Sequence, residues 1–163
     1  MPDSDLASIL AFAETLPLRK ICGEDGSLYL SRYLVGGAMM PSHPGPSPVS
    51  VYLHHIHRQD YDESLHSHPW EWSQTTVLHG GDRQIVGKVS GDLLAVDGES
   101  WVRRGSSCLM KDGFVHRIVE VLPDTWTLFA VGPKTASWGF FVSGRGMVPW
   151  RDRLVERGIP LPY

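Results

Sequence analysis

The chain has 163 residues, with 15 lysines and arginines against 18 acids, and it is rich in histidine (eight) and tryptophan (six). A formal net charge of −3 with scattered signs provides no basic stripe to follow a phosphate backbone, which argues against a nucleic-acid partner, and no apolar run is long enough to span a bilayer. This length fits one domain, 1–163, with a core that needs no disulfides; Cys22 and Cys108 fit no ligand spacing and suit a reducing cytosol.

The opening Met1-Pro2-Asp3-Ser4-Asp5 puts acid where a leader peptide would carry lysine or arginine, so a soluble, cytoplasmic protein is expected. Asp3 or Ser4 would cap a helix over about 4–16, in which Leu6, Ile9, Leu10 and Ala13 recur at helical spacing before Pro17 ends the run. Residues 28–35 alternate as a strand does, and 36–48, rich in glycine and proline, predict a loop that covers a barrel end. In 49–57, Val49, Val51 and Leu53 form an apolar row, and period-two alternation sends His55 and His57 to that same side, toward the cavity.

Further strands are predicted over 72–79, 83–89, 93–96, 101–104, 107–110, 115–121, 126–131 and 138–142, with a closing helix over about 149–158. Many short strands separated by glycine, aspartate or proline turns predict an all-β antiparallel sandwich or barrel, over about 27–143, with helices only at its ends.

Two segments carry the chemistry. His66-Ser67-His68 is followed after four residues by Ser73 and after six more by Gly80; Gly105 is followed after five residues by Lys111, then Asp112, Gly113, His116 and, after three more, Glu120. These patterns resemble the two motifs of the cupin superfamily, G-x5-H-x-H-x3-4-E-x6-G and G-x5-P-x-G-x2-H-x3-N. The match departs at Asp60 (glycine in the motif), Ser73 (the glutamate ligand), Lys111 (proline) and Glu120 (asparagine). The string His68-Pro69-Trp70, Trp126-Thr127-Leu128-Phe129 and Trp138-Gly139-Phe140 is also similar to short bacterial and phage cupin-like proteins. The resemblance implies a double-stranded β-helix, or jelly-roll barrel, and a homodimer paired through barrel edges.

Imidazoles at i and i+2 on a strand share one face, and a third from across the barrel completes a facial set for one first-row metal. His66, His68 and His116 are therefore the expected ligands. With serine in place of the acidic ligand, the set resembles the neutral triads of thiol dioxygenases and diketone-cleaving cupins. That resemblance implies iron(II), with nickel, manganese or zinc as alternatives, and oxidation of a small-molecule substrate by dioxygen.

A rival register pairs His55 and His57 with Asp62, but Pro69 stands where its glycine belongs. Glu71, two residues before Ser73, would share its face as a fourth ligand or proton carrier, or else lie solvated at a strand end. Glu120 would face the same way as His116, either as a catalytic carboxylate bonded to an imidazole or in a salt bridge to a neighbouring arginine. Trp72 is the candidate substrate platform. Arg83, Arg103, Arg104 and Arg117 all lie near strand ends, with Arg83 the first choice to anchor a substrate carboxylate. A metal-dependent isomerase or lyase, and a non-catalytic sugar or small-ligand binding module, are the competing functions.

Overall fold

The computed structural model describes residues 4–37, 49–135 and 137–159. In chain order it contains α1 (Ser4–Ala13), β1 (Leu18–Cys22), β2 (Leu28–Gly36), β3 (Ser50–Ile56), β4 (Leu65–His66), β5 (Ser73–His79) and β6 (Gly81–Ser90). There follow β7 (Leu93–Arg103), β8 (Ser107–Met110), β9 (Phe114–Val121), β10 (Thr125–Val131), β11 (Gly139–Val142), β12 (Gly146–Pro149) and α2 (Trp150–Glu156). The strands form two six-stranded antiparallel sheets, in the orders β1-β2-β3-β10-β5-β8 and β12-β11-β4-β9-β6-β7. This is a double-stranded β-helix.

Three apolar clusters hold it together. Leu30 and Ile56 from the first sheet meet Ile118 from the second, while Tyr52, Met110, Phe129 and Val131 fill the interior further along the first sheet. The third cluster lies on the outer face of the first sheet, where Leu53 and Trp126 receive Ala13, with Leu6 and Ile9 of α1 packed against them. Burying a side chain such as Leu53, 2 % exposed, contributes about 1.5–3 kcal/mol, so α1 is held by its apolar face rather than by its own propensity.

These clusters overturn one expectation. The row Leu53, His55, His57 faces out beneath α1, whereas Tyr52, His54 and Ile56 face the barrel interior. Both faces of β3 are covered, so apolar alternation marks two buried faces and does not tell inside from outside.

The glycines of the two motifs are turn positions. Gly80 (φ 67°) and Gly113 (φ 75°) adopt left-handed conformations, and a Cβ on Gly113 would stand 2.5 Å from the Val89 carbonyl oxygen. The 93–104 region is one strand rather than two, because an extra residue at the Val86/Gly87 irregularity breaks its alternation without breaking its pairing with β6. The sheets also extend past 27–143 at both ends: β1 adds an edge to the first, and β12 to the second. The loop predicted over 36–48 lies almost wholly outside the described residues, as does Asp3; Ser4 is the first helical residue of α1. No helix among the described residues is long and apolar enough to cross a membrane.

Candidate metal centre

The two-residue strand β4 positions His66 between two neighbours, directly opposite His116 of β9 and Phe140 of β11. His68, two residues on, turns its ring to the same side, and its Nε2 lies 2.9 Å from Nε2 of His116. The ring centroids are 4.6 Å apart for His66 and His116, 5.0 Å for His68 and His116, and 5.3 Å for His66 and His68. One ring nitrogen from each lies within 4.8 Å of the other two, the spread that a shared ion spans.

Their surroundings orient the rings and hold His68 and His116 neutral. Burial, reinforced by the neighbouring His66, pushes His116 down to about 3; burial, then His116, His66, Arg32 and His54, pushes His68 well below the usual imidazole range. His116 Nδ1 lies 2.8 Å from Gln84 Oε1, an acceptor, so this nitrogen donates and Nε2 keeps its lone pair. Gln84 is held in turn by its Nε2 donating to Asp82 at 2.6 Å. Nδ1 of His66 faces Asp60 Oδ2 at 3.7 Å, and Asp60 accepts from the Tyr29 hydroxyl at 2.5 Å and the Ile118 amide at 2.7 Å. Convergent, sterically fixed imidazoles, two of them held neutral by burial, are a donor set that suits a divalent transition ion, so the residues fit such an ion.

An aromatic wall surrounds them. Trp70 stacks on His68 at 5.8 Å and meets Phe129 edge-on at 5.5 Å, and Trp138 and Phe140 each lie 6.2 Å from His66. Trp72, the expected platform, instead lies over Gly132, where any Cβ would collide with its indole. Ser73 is buried, its hydroxyl without a partner, on the interior side of β5.

The two candidate carboxylates lie elsewhere. Glu71 is exposed, at a bend between Trp70 and Ser73 that resets the alternation on which its alignment with Ser73 depended. Glu120 is turned outward by an irregularity at Val119, since Gln84 pairs with Ile118 but Arg83 with Glu120. One extra residue reverses the facing of all that follow. Glu120 and Arg83 form a surface ion pair at 3.0 Å, joined by Glu99, so Arg83 is occupied on the outside of the barrel.

The rival register does not assemble. His55 and His57 lie together outside the barrel, with centroids 4.1 Å apart and His55 stacked on Trp126. Asp62 accepts from Arg153 at 2.9 Å and Arg157 at 2.8 Å, tying α2 to the loop before β4. Among the other arginines, Arg103 lies over Trp101, Arg104 pairs with Asp5, and Arg117 donates to the Glu63 carbonyl.

Sequence reasoning missed Asp60, Gln84, His54, Arg32 and Trp70. Asp60 left a trace, as an acid where the motif has glycine, and Trp70 another, in the His68-Pro69-Trp70 string; the other three carried no local signal. Two surface grooves, one beside α1 along His55 and Trp126 and one beside Trp150 and Lys134, involve none of the three candidate ligands.

No family model and no curated protein matches the chain. Solved structures do. The polyketide cyclase RemF from Streptomyces resistomycificus aligns at a TM-score of 0.55 and 13 % identity, over 82 % of this chain and 85 % of its own. A cupin-2 domain protein from Rhodospirillum rubrum aligns at 0.53 and 10 %, over 88 % and 82 %. The DMSP lyase DddQ from Ruegeria pomeroyi DSS-3 aligns at 0.52 and 15 %, over 77 % of this chain and 60 % of its own. The chain also spans 57 % of the longer Fe(II)-HppE chain, at a TM-score of 0.48 and 15 % identity. The fold is that of the cupins.

Proposed function

We propose that this cupin-fold protein binds one divalent transition metal through His66, His68 and His116 and, with iron(II) there, oxidises a small organic molecule with dioxygen. The observation that carries this reading is the convergence of three imidazoles, with no carboxylate from the described residues in the group. When bound, the ion would supply Lewis acidity and open positions for substrate and dioxygen. Gln84 and Asp82 fix the His116 ring, Asp60 faces the His66 ring, and Trp70, Phe129 and Phe140 keep bulk water from that side. Nickel, manganese and zinc are the alternatives that the same donors admit.

A lyase or isomerase reading draws support from the cyclase and lyase that share the fold, but it needs a proton carrier, and both Glu71 and Glu120 are exposed. The free thiols Cys22 and Cys108 suit the cytoplasm, and a homodimer through the barrel edges completes the proposal.

The test is metal content after dialysis against limiting metal. We expect about one ion per chain in the parent protein and in Glu71→Gln and Glu120→Gln, and none in His66→Ala or His116→Ala. Full occupancy in His116→Ala overturns the site. Oxygen uptake by the iron-loaded protein across a panel of small organic acids, alcohols and thiols then separates oxidation from lyase chemistry; metal-dependent turnover without oxygen uptake overturns the oxidase reading.

A further inference from the structure

Arg32 sits in the inward row of β2. Leu30, two residues before it, packs with Ile56 and Ile118, and Leu34, two residues after it, packs against the interior cluster of Tyr52, Met110, Phe129 and Val131. Its guanidinium lies 5.1 Å from the Tyr52 ring centroid, and its Nε donates to His54 Nε2 at 3.0 Å. His54 lies 5.0 Å from Phe129, which lies 6.0 Å from His68. A short file of side chains thus leads from the guanidinium to the imidazole triad.

A cation in the interior of a barrel calls for an anion, and among the described residues Arg32 has none. Its one side-chain hydrogen bond to a described residue uses Nε. Both terminal nitrogens, the end of the fork that grips a carboxylate bidentately, make no hydrogen bond to any described residue, yet they are not among the fully buried orphan atoms. Arg58, Arg83, Arg104, Arg145, Arg153 and Arg157 all pair with acids, and Arg103 and Arg117 meet a ring and a carbonyl; what sets Arg32 apart is its place in the inward row of a barrel strand. Tyr52 and His54 accommodate the charge without neutralising it, and burial pushes His54 well below its usual range, so it accepts from Arg32 as a neutral ring.

We propose that Arg32 anchors the anionic group of the substrate inside the barrel, so that the substrate is a small organic acid whose carboxylate meets the Arg32 fork while its reactive end faces His66, His68 and His116. This rests on reading the barrel interior as the substrate site. It moves the anchoring role from Arg83, which is occupied on the outer surface, to a residue on another sheet. Arg32 is a positioning and specificity residue; it holds one end of the substrate and transfers no proton.

The test compares lactate with its neutral isostere lactamide by calorimetric titration, on protein both metal-loaded and stripped with chelator. In the parent protein we expect lactate to bind at least about tenfold more tightly than lactamide in both states, matching a charge-assisted bidentate contact. In Arg32→Met the stripped protein should lose that preference, to within about twofold, while its metal content stays at the parent level.

A preference that survives in stripped Arg32→Met, or no preference in the stripped parent protein, overturns the assignment. Metal content is read separately, so a failed metal site and a failed anion site give different results. A measurement on the parent protein guards against a variant that does not fold. The Arg32 Nε–H resonance, identified by its loss in Arg32→Lys, should shift on titration with lactate and stay still with lactamide; shifts of equal size with both overturn the proposal.

Discussion

Asp82 is 1 % exposed and its carboxyl is pushed up from 3.8 to about 6, first by burial and then by the charge of Asp60, against an opposing hydrogen bond from Gln84. Between these two values the folded protein holds a proton that the unfolded chain has released. Stability must therefore fall as pH rises through this window, and stay flat on either side of it. A shift of roughly two units, at 1.36 kcal/mol per unit, makes the protein about 3 kcal/mol less stable at pH 8 than at pH 3.5 on account of this group alone.

Asp82→Asn removes the titration and keeps an oxygen for Gln84 Nε2 to donate to. Urea unfolding of the chelator-treated protein, followed by tryptophan fluorescence from pH 4 to 8, should show the variant gaining on the parent as pH rises, with the gap widening by about 2.5 kcal/mol and levelling off above pH 7. The buried histidines impose the opposite slope, since His54, His68 and His116 are held below their usual range and resist protonation as pH falls. That slope is common to both proteins and cancels in the difference. A gap that stays constant from pH 4 to 8 would refute the reasoning.

Gln84→Leu leaves His116 Nδ1 and Asp82 without their partner, and weakens metal binding about 10- to 100-fold in a competition titration with a chromophoric chelator; unchanged affinity would show that the ring needs no such support. Asp62→Ala releases Arg153 and Arg157, and because both guanidiniums are partly solvated the loss of stability should be about 1–3 kcal/mol, with metal content unchanged; loss of metal instead would revive the register of His55 and His57. Burial alone would raise the Asp62 pKa, but hydrogen bonds from Arg153, Ser64 and Arg157 hold it below the usual carboxylate range. Its contribution is therefore complete above the unfolded value near 3.8 and is lost as pH falls through the folded one.

The three imidazoles were legible because each depends on a local rule. His66 and His68 share a face by strand periodicity, and Gly113 marks the turn from which β9 carries His116. Rules of this kind fail where one residue is added or a strand is covered twice. The irregularity at Val119 reversed Glu120, the bend at Glu71 cut it off from Ser73, and α1 made the outer face of β3 as apolar as its inner one.

Residues whose role lies in a partner were hidden for a different reason. Gln84 matters through His116, 32 positions away, and no short window of sequence contains both. Arg32 is the strongest case. From sequence, the row Leu30, Arg32, Leu34 reads as an apolar face interrupted by a charge, and the ordinary expectation is that such an arginine reaches out to water. Only the closed barrel shows that the row faces inward, that Tyr52 and His54 flank the guanidinium, and that no described acid answers it. A fold that keeps a charge in its interior without a counterion incurs a continuing cost in stability, and an anionic ligand that offsets this cost on binding gives the charge a physical reason to be there.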